Sequence, residues 1–188
     1  MTVDYKLKIC IRSSKYIKYD IDQLYVTLEY FCWQKLKPLS SNQLPPIYIE
    51  IGTKYTEELK HCGEFCVIND EIASIFISTK SLNSDKFRYK NKIKSLLYMF
   101  LHEFYHMYIC IEDYIKSDKS IMLHDFQNKR YDKFIQDCYD MEESGIDEDL
   151  TYYYHPEEMA ANAFAFENLA YLENLYGYGF LVTPPDAF

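Results

Sequence analysis

The sequence predicts an α+β fold, in which a small and mostly antiparallel sheet packs against one long helix with further helices around it. Strand-like segments lie in the first half of the 188-residue chain, whereas helical periodicity dominates the second half. Two of the β-rich segments are separated by only three polar residues, which favours an antiparallel hairpin. Segregation of strands from helices in this way is typical of α+β rather than of alternating α/β proteins.

The first strand and the first helix are predicted near the N-terminus. Residues 5–11 alternate between apolar and charged side chains, which predicts a half-buried strand. Residues 15–37 carry apolar side chains at three- and four-residue spacing and stop before a proline, which predicts an amphipathic helix. Residues 1–45 are therefore a candidate strand–helix extension of a single domain that spans residues 1–188.

The remaining elements follow in order along the chain. Residues 47–51 predict a strand, and residues 65–68 and 72–78 predict the two arms of the hairpin. The acidic stretch at residues 142–149 predicts a solvated loop. Three further helices are predicted at residues 89–114, 122–141 and 156–176.

Composition and charge argue against several classes of function. The formal net charge is −9 and no lysine- or arginine-rich run is present, so nucleic-acid binding is not expected. No segment reaches the ~18 consecutive apolar residues of a membrane span, and the N-terminus lacks the apolar core of a signal peptide. The six cysteines show no CxxC pairing, as is common in a reducing compartment. These features predict a cytoplasmic protein with no membrane partner.

The segment His102-Glu103-Phe104-Tyr105-His106 carries the strongest chemical signal. On a helix, His102 and His106 lie one turn apart on nearly the same face, so both imidazoles can reach one metal ion at about 2.0–2.1 Å. Glu103 lies one position around the helix, where its carboxylate can act as a general base on water at the metal. With only 5 histidines in the chain, a chance match is a weak competitor.

The helix that carries this motif is apolar on two faces, which is typical of a helix that is buried on both sides. Histidines in such a setting need partners, and one metal ion satisfies both. The alternative interpretation is a pair of core histidines that hydrogen-bond to carbonyl groups or tyrosines. The apolar stripe opposite the histidines consists of Ile93, Leu97, Phe100, Phe104, Tyr108, Ile111 and Ile115.

A catalytic metal site also needs a third protein ligand and an open position. The best candidate is Glu158 on the last predicted helix, with Asn162 one turn further on, where its amide could orient a metal-bound histidine. Glu157 is the alternative third ligand. A simpler explanation stands beside both, because acidic residues that follow a proline at a helix start are favoured by the helix dipole.

The two motifs together resemble those of the ImmA/IrrE family of gluzincin-type peptidases, over roughly residues 46–176. The family combines HExxH with a later helix of the pattern E-x-x-A-N-x-F-A, and it carries its small sheet where residues 47–78 lie here. The matching residues are His102, Glu103, His106, Glu158, Ala161, Asn162, Phe164 and Ala165.

This resemblance implies a zincin-like fold, Zn²⁺ held by His102, His106 and Glu158, and Glu103 as the general base. It also implies a zinc metalloendopeptidase that cleaves a protein partner, often a DNA-binding repressor, in bacteria, phages or mobile elements. A basic repressor would suit the negative charge of this chain. The alternative function is a catalytically silent, zincin-like protein that sequesters a host or phage regulator.

The chain departs from the family pattern at three points. Tyr105 stands where the family usually has a small residue. The interval between His106 and Glu158 is longer than usual, because it holds an extra helix and the acidic stretch. The helix at residues 15–37 is a candidate addition.

Zinc peptidases often use a tyrosine or a histidine to stabilise the oxyanion that forms during peptide hydrolysis. Tyr154 and His155 directly precede the helix of the proposed ligand and are candidates for this role. Tyr152 and Tyr153 belong to the same aromatic run. Packing or a helix cap is the alternative explanation for these side chains.

Overall fold

The structure, a computed structural model, describes residues 6–39, 44–52, 61–83, 91–117 and 120–178. Its strands are β1 (Leu7–Ile11), β2 (Ile47–Ile51), β3 (Gly63–Ile68) and β4 (Ile72–Ile77). Its helices are α1 (Ile21–Leu36), α2 (Thr79–Leu82), α3 (Lys92–Lys116), α4 (Leu123–Glu143), α5 (Glu148–Tyr154) and α6 (Pro156–Tyr178). The predicted α+β class is confirmed. Residue 5 of the first predicted strand and residues 89–90 of the long predicted helix lie outside the described ranges.

The four strands form one mixed sheet with the order β1-β2-β4-β3. Strand β2 runs parallel to both β1 and β4, and only β3 and β4 are antiparallel. The prediction of a mostly antiparallel sheet is therefore wrong. Helix α1 crosses over between β1 and β2, and such a crossover returns the chain to the same end of the sheet, so the second strand runs parallel to the first.

Burial explains why β4 rather than β3 lies beside β2. Strand β4 is buried along nearly its whole length, whereas β3 has only one buried residue. A continuously apolar strand suits a central position, and a half-exposed strand suits the edge. Strand β3 is consequently the outer strand of the sheet on the side of the helix that carries the histidine motif.

The predicted hairpin between β3 and β4 is confirmed. Asn69 and Asp70 have φ angles of +49° and +64°, the left-handed conformation that asparagine and aspartate tolerate better than most residues. The N–H of Glu71 donates to the carbonyl of Ile68 at 3.3 Å and closes the turn. The turn chemistry thus sets the antiparallel register of these two strands.

Side-chain caps set the starts of two helices. Helix α1 begins at Ile21 rather than near residue 15, because the Asp20 side chain accepts from the N–H of Gln23 and caps the first turn. The Asn91 side chain caps α3 in the same way. The loop predicted at residues 142–149 is shorter than expected, since α4 continues through Glu143 and α5 begins at Glu148.

Helix α3 occupies the centre of the molecule and packs against the sheet, α1 and α6. The rings of Phe100 and Phe104 are fully buried, and Phe31 of α1 contacts them at centroid distances of 5.9 and 5.2 Å. Helix α6 runs antiparallel to α3, with the Lys94–Glu173 ion pair at one end of the contact. No helix in the described ranges is both long and apolar enough to cross a lipid bilayer.

Candidate metal centre

Helix α3 places the imidazoles of His102 and His106 side by side. The four-residue spacing puts the rings one turn apart, with centroids 4.9 Å apart. The two Nε2 atoms lie 3.2 Å from each other. Each histidine therefore presents the same ring nitrogen to one shared point.

Helix α6 brings the carboxylate of Glu158 to that point. Its Oε2 lies 3.3 Å from His102 Nε2, and its Oε1 lies 3.3 Å from His106 Nε2. The three potential ligand atoms all lie within 4.8 Å of one another. The antiparallel packing of α3 and α6 thus unites three residues that the sequence predicts as metal ligands.

The residues of this triad fit a bound cation. A pair of imidazole nitrogens and a carboxylate is a donor set typical of catalytic zinc sites, with one position left for water or substrate. The side chains are mostly buried, and His102 Nδ1 is a buried nitrogen without a hydrogen-bond partner in the described part of the chain. This nitrogen is not the one that faces the triad, so the fit to a cation rests on the donor set and on its burial.

The charges of the triad favour a positive occupant. Burial alone would lower the pKa of His106, but hydrogen bonds with Glu157 and Glu158 raise it to about 9. Burial alone would raise the pKa of Glu158, but hydrogen bonds with His102 and His106 lower it to about 2. The carboxylates therefore stabilise a cation at this point, either a proton on His106 or a metal ion.

Glu103 lies beside the triad and is buried. Burial raises the pKa of its carboxyl group, and the neighbouring His102 and His106 act in the opposite direction. Its carboxylate accepts a hydrogen bond from the backbone N–H of Phe65 in β3. A carboxyl group with a raised pKa holds a proton more readily than an exposed one, which suits it to accept a proton and release it again.

Gly63 makes room for Glu103. A Cβ atom at residue 63 would lie 2.8 Å from Cγ and from Oε1 of Glu103, and 2.8 Å from Cγ of Met99. Contacts that short essentially do not occur, so any side chain there would displace its neighbours. The sequence contains no signal for this role, because it depends on the approach of β3 to α3.

Glu157, the alternative third ligand, contacts the opposite side of His106. Its Oε1 lies 3.2 Å from His106 Nδ1, and its Oε2 lies 3.1 Å from a guanidinium nitrogen of Arg130. Arg130 also forms an ion pair with Asp113. Glu157 thus orients the imidazole of His106, whose other nitrogen contacts Glu158. Carboxylates commonly orient metal-binding histidines in this way.

Asn162 lies close to the site, but its contact differs from the expected one. Its Oδ1 accepts from the hydroxyl of Tyr98 at 2.7 Å, and Tyr98 lies one helical turn before His102. The hydrogen bond recorded for Asn162 therefore reaches α3 rather than a histidine ring. This contact ties α6 to α3 next to the triad.

The structure separates the four residues of the aromatic run that precedes α6. Tyr152 and Tyr154 are similarly exposed, at 50% and 54%, but the hydroxyl of Tyr152 contacts the carboxylate of Glu158. Partial burial, together with this contact, raises the pKa of Tyr152. Among the tyrosines of the run, Tyr152 is thus the one that reaches the triad, although the sequence singles out Tyr154.

His155 serves as a helix cap. Its Nδ1 accepts from the N–H of Glu157 at 3.1 Å, in the first turn of α6. Its ring packs on Phe134 with centroids 4.0 Å apart, and its Nε2 lies 3.6 Å from the carboxylate of Asp137. These contacts agree with the interpretation of His155 as a packing and capping residue.

Comparison of the chain with protein-family models, curated proteins and solved structures finds no match. Function therefore has to be argued from the site itself, from the geometry and chemistry of its side chains. The features available for that argument are the buried triad, the adjacent Glu103 and the edge strand beside it.

Proposed function

We propose that this protein is a zinc-dependent endopeptidase of zincin-like architecture, related to the ImmA/IrrE family. The observation that carries the proposal is the convergence of His102, His106 and Glu158 beside a buried glutamate. The triad supplies three ligands, which leaves a tetrahedral cation one further position, and the buried Glu103 supplies a base beside it.

The metal would be held by Nε2 of His102, Nε2 of His106 and the carboxylate of Glu158. Bound zinc supplies a Lewis acid that polarises a carbonyl and lowers the pKa of a water molecule. His106 must be deprotonated at Nε2 to act as a ligand. The contact of its Nδ1 with Glu157 selects the tautomer in which Nε2 is free to bind.

Glu103 would handle the proton of the reaction. Its ionised carboxylate accepts a proton from the attacking water and passes that proton to the leaving amine. The raised pKa of Glu103 supports this role, because its carboxylate holds a proton more readily than an exposed glutamate does. The hydrogen bond from Phe65 N–H holds the carboxylate in position.

Tyr152 is the residue that we assign to the oxyanion. Its hydroxyl is a hydrogen-bond donor at the edge of the triad, in contact with Glu158. Preorganised donors of this kind stabilise the negative charge that develops on the carbonyl oxygen during peptide hydrolysis.

The substrate would be an extended segment of a protein, and a basic DNA-binding repressor is the partner class that we favour. Strand β3 is the outer strand of the sheet, and its Phe65 N–H donates to Glu103, so a peptide added to this edge passes the general base. The net charge of −9 supports association with a basic protein.

The test combines metal analysis with cleavage. Purified wild-type protein should contain one zinc per chain, and His106→Ala should lose it. Glu103→Gln should retain zinc and lose cleavage of a basic helix-turn-helix repressor, with the mass of the intact repressor as the readout. Retained cleavage by Glu103→Gln would refute the role of Glu103 as the base.

The same experiment distinguishes a peptidase from a silent protein that only binds the repressor. A zinc-loaded wild-type chain that forms a stable complex with the repressor and leaves its mass unchanged would support sequestration without cleavage. A chain that purifies with no zinc, and whose complex survives His106→Ala, would argue against the metallopeptidase altogether.

A further inference from the structure

The backbone groups of strand β3 that do not pair with β4 lie on the edge of the sheet nearest to the metal centre. The carbonyl of Cys62 accepts from the N–H of Ser78, which directs the even-numbered residues of this strand toward β4. The backbone groups of Phe65 and Val67 consequently point away from the sheet, because alternate residues of a strand face opposite edges. Such an edge can template an added peptide once the groups that cover it move away, because α4 lies against β3.

A side chain of the same protein already occupies this edge. The N–H of Val67 donates to Oε1 of Gln127 at 2.7 Å, and Nε2 of Gln127 donates to the carbonyl of Phe65 at 3.3 Å. A carboxamide carries the same donor and acceptor as a peptide group. Gln127 therefore makes the pair of hydrogen bonds that one residue of a neighbouring strand would make.

Two further contacts of helix α4, one on each side of Gln127 along the helix, fix the position of this residue. On one side, the N–H of His124 donates to the carbonyl of Asp70 in the β3–β4 turn at 3.3 Å. On the other side, Arg130 forms an ion pair with Glu157 at 3.1 Å. The Gln127 contact thus lies between two further attachments of α4, one to the sheet and one to the metal centre.

The position that Gln127 occupies is next to the general base. The carbonyl of Phe65 accepts from Gln127, and the N–H of Phe65 donates to Glu103. The two side chains therefore bind backbone groups of the same residue. A peptide that replaced Gln127 on β3 would therefore run beside Glu103.

We propose that Gln127 occupies the subsite on β3 where the backbone N–H and C=O of one substrate residue bind, so that an extended substrate must displace it. This inference rests on the proposed peptidase function. It makes Gln127 a specificity-determining residue: a segment that can form a continuous strand replaces both hydrogen bonds, whereas a short or folded segment does not.

The test measures peptide binding in a chain that cannot cleave. Reduced and S-aminoethylated lysozyme, an unfolded and basic chain, serves as the extended probe, and its dissociation constant is measured with Glu103→Gln and with Glu103→Gln/Gln127→Ala. Removal of the internal competitor should tighten binding about three- to tenfold, the value expected for one net hydrogen bond. The matched control is Gln136→Ala in the same background, because Gln136 lies exposed on α4 and bonds to Asp140 within the helix.

Unchanged or weaker binding after Gln127→Ala would overturn the proposal, and so would no binding by either chain. Faster hydrogen exchange of the Val67 amide in the Gln127→Ala chain verifies that the contact has been removed. Tighter binding together with a wild-type chain that cleaves nothing would contradict the peptidase function while the edge subsite stands.

Discussion

Glu157 and Glu158 are neighbours in sequence, yet their carboxylates contact opposite nitrogens of the same imidazole. Glu158 Oε1 lies 3.3 Å from Nε2 of His106, and Glu157 Oε1 lies 3.2 Å from its Nδ1. Helix α6 begins at Pro156, so both residues lie in its first turn and diverge by about 100° around its axis. Glu158 thereby completes the triad, and Glu157 orients the ring of His106.

This division of roles predicts different effects of two similar substitutions. Glu158→Gln should abolish stoichiometric zinc binding, because it removes a charged ligand. Glu157→Gln should leave one site per chain but weaken zinc affinity about 10- to 100-fold, the usual effect of losing such a carboxylate. Competition with a chromophoric chelator measures both. Glu167→Gln, on the exposed face of the same helix, is the control and should not alter affinity.

Gly63→Ala should impair cleavage without loss of the metal. The added Cβ would lie 2.8 Å from Glu103 and must displace its side chain, and the three atoms nearest to it belong to Glu103 and Met99 rather than to a ligand. We expect a loss of kcat of at least about 100-fold, in line with the contribution of a positioned general base. Gly177→Ala is the matched control, since a Cβ there meets nothing within 4 Å. Equal activities of the two variants would contradict the proposed contact.

Tyr152→Phe tests the oxyanion assignment. The ring is retained and only the hydroxyl that contacts Glu158 is removed. Peptide cleavage should fall about 100- to 1,000-fold in kcat, the range for loss of one oxyanion donor, and zinc content should stay at one per chain. Tyr154→Phe, at a side chain that is exposed, should retain activity. If the two substitutions had the reverse effects, Tyr154 would be the oxyanion residue.

The metal-free protein should lose stability as the pH rises above neutrality. The pKa of His106 is raised from 6.5 to about 9, so its contribution is complete below pH 6.5 and is lost as the pH rises through 9. The pKa of Glu158 is lowered from 4.5 to about 2, so its contribution is complete above pH 4.5 and is lost as the pH falls through 2. Both contributions are therefore complete between pH 4.5 and 6.5.

Thermal unfolding of chelator-treated protein measures this dependence. The Tm should fall between pH 6.5 and 9.5, and His106→Ala should reduce the fall. The raised pKa of Glu103 also makes the folded state less stable as the pH rises. Zinc should restore the Tm at pH 9, because the metal replaces the proton on His106. A Tm in the metal-free chain that rises over this range would contradict the charge arrangement of the triad.

Several features could be predicted because they depend on neighbours in the sequence. Helical spacing places His102 and His106 on one face whatever packs around them, and the central helix forms at nearly the predicted residues. The hairpin follows from the left-handed conformations that Asn69 and Asp70 accept. The arrival of Glu158 at the histidines was anticipated from a resemblance between motifs, not from any local rule.

Other features depend on which surfaces meet after the chain has folded. Alternation marks a strand but not its direction, so the parallel pairing of β2 with β1 and β4 followed only from the crossover of α1 and the burial of β4. The spacing of apolar residues predicts which face of α4 is buried, but not which element packs against that face. The contacts of Arg130 with Glu157 and of Gln127 with β3 therefore had no sequence signal.

The amino-acid sequence alone was enough to define the two histidines and the glutamate between them as a unit, because one turn of helix sets their relative positions. Packing of α6 against α3 was needed to assign different roles to Glu158 and Glu157. Both carboxylates lie in one helical turn, and only their contacts with α3 show which one reaches Nε2 of His106 and which one reaches Nδ1. Packing of α4 was needed to place Gln127 on the edge strand. Contacts between residues far apart in the chain depend on the relative orientation of whole elements, which local propensity does not determine.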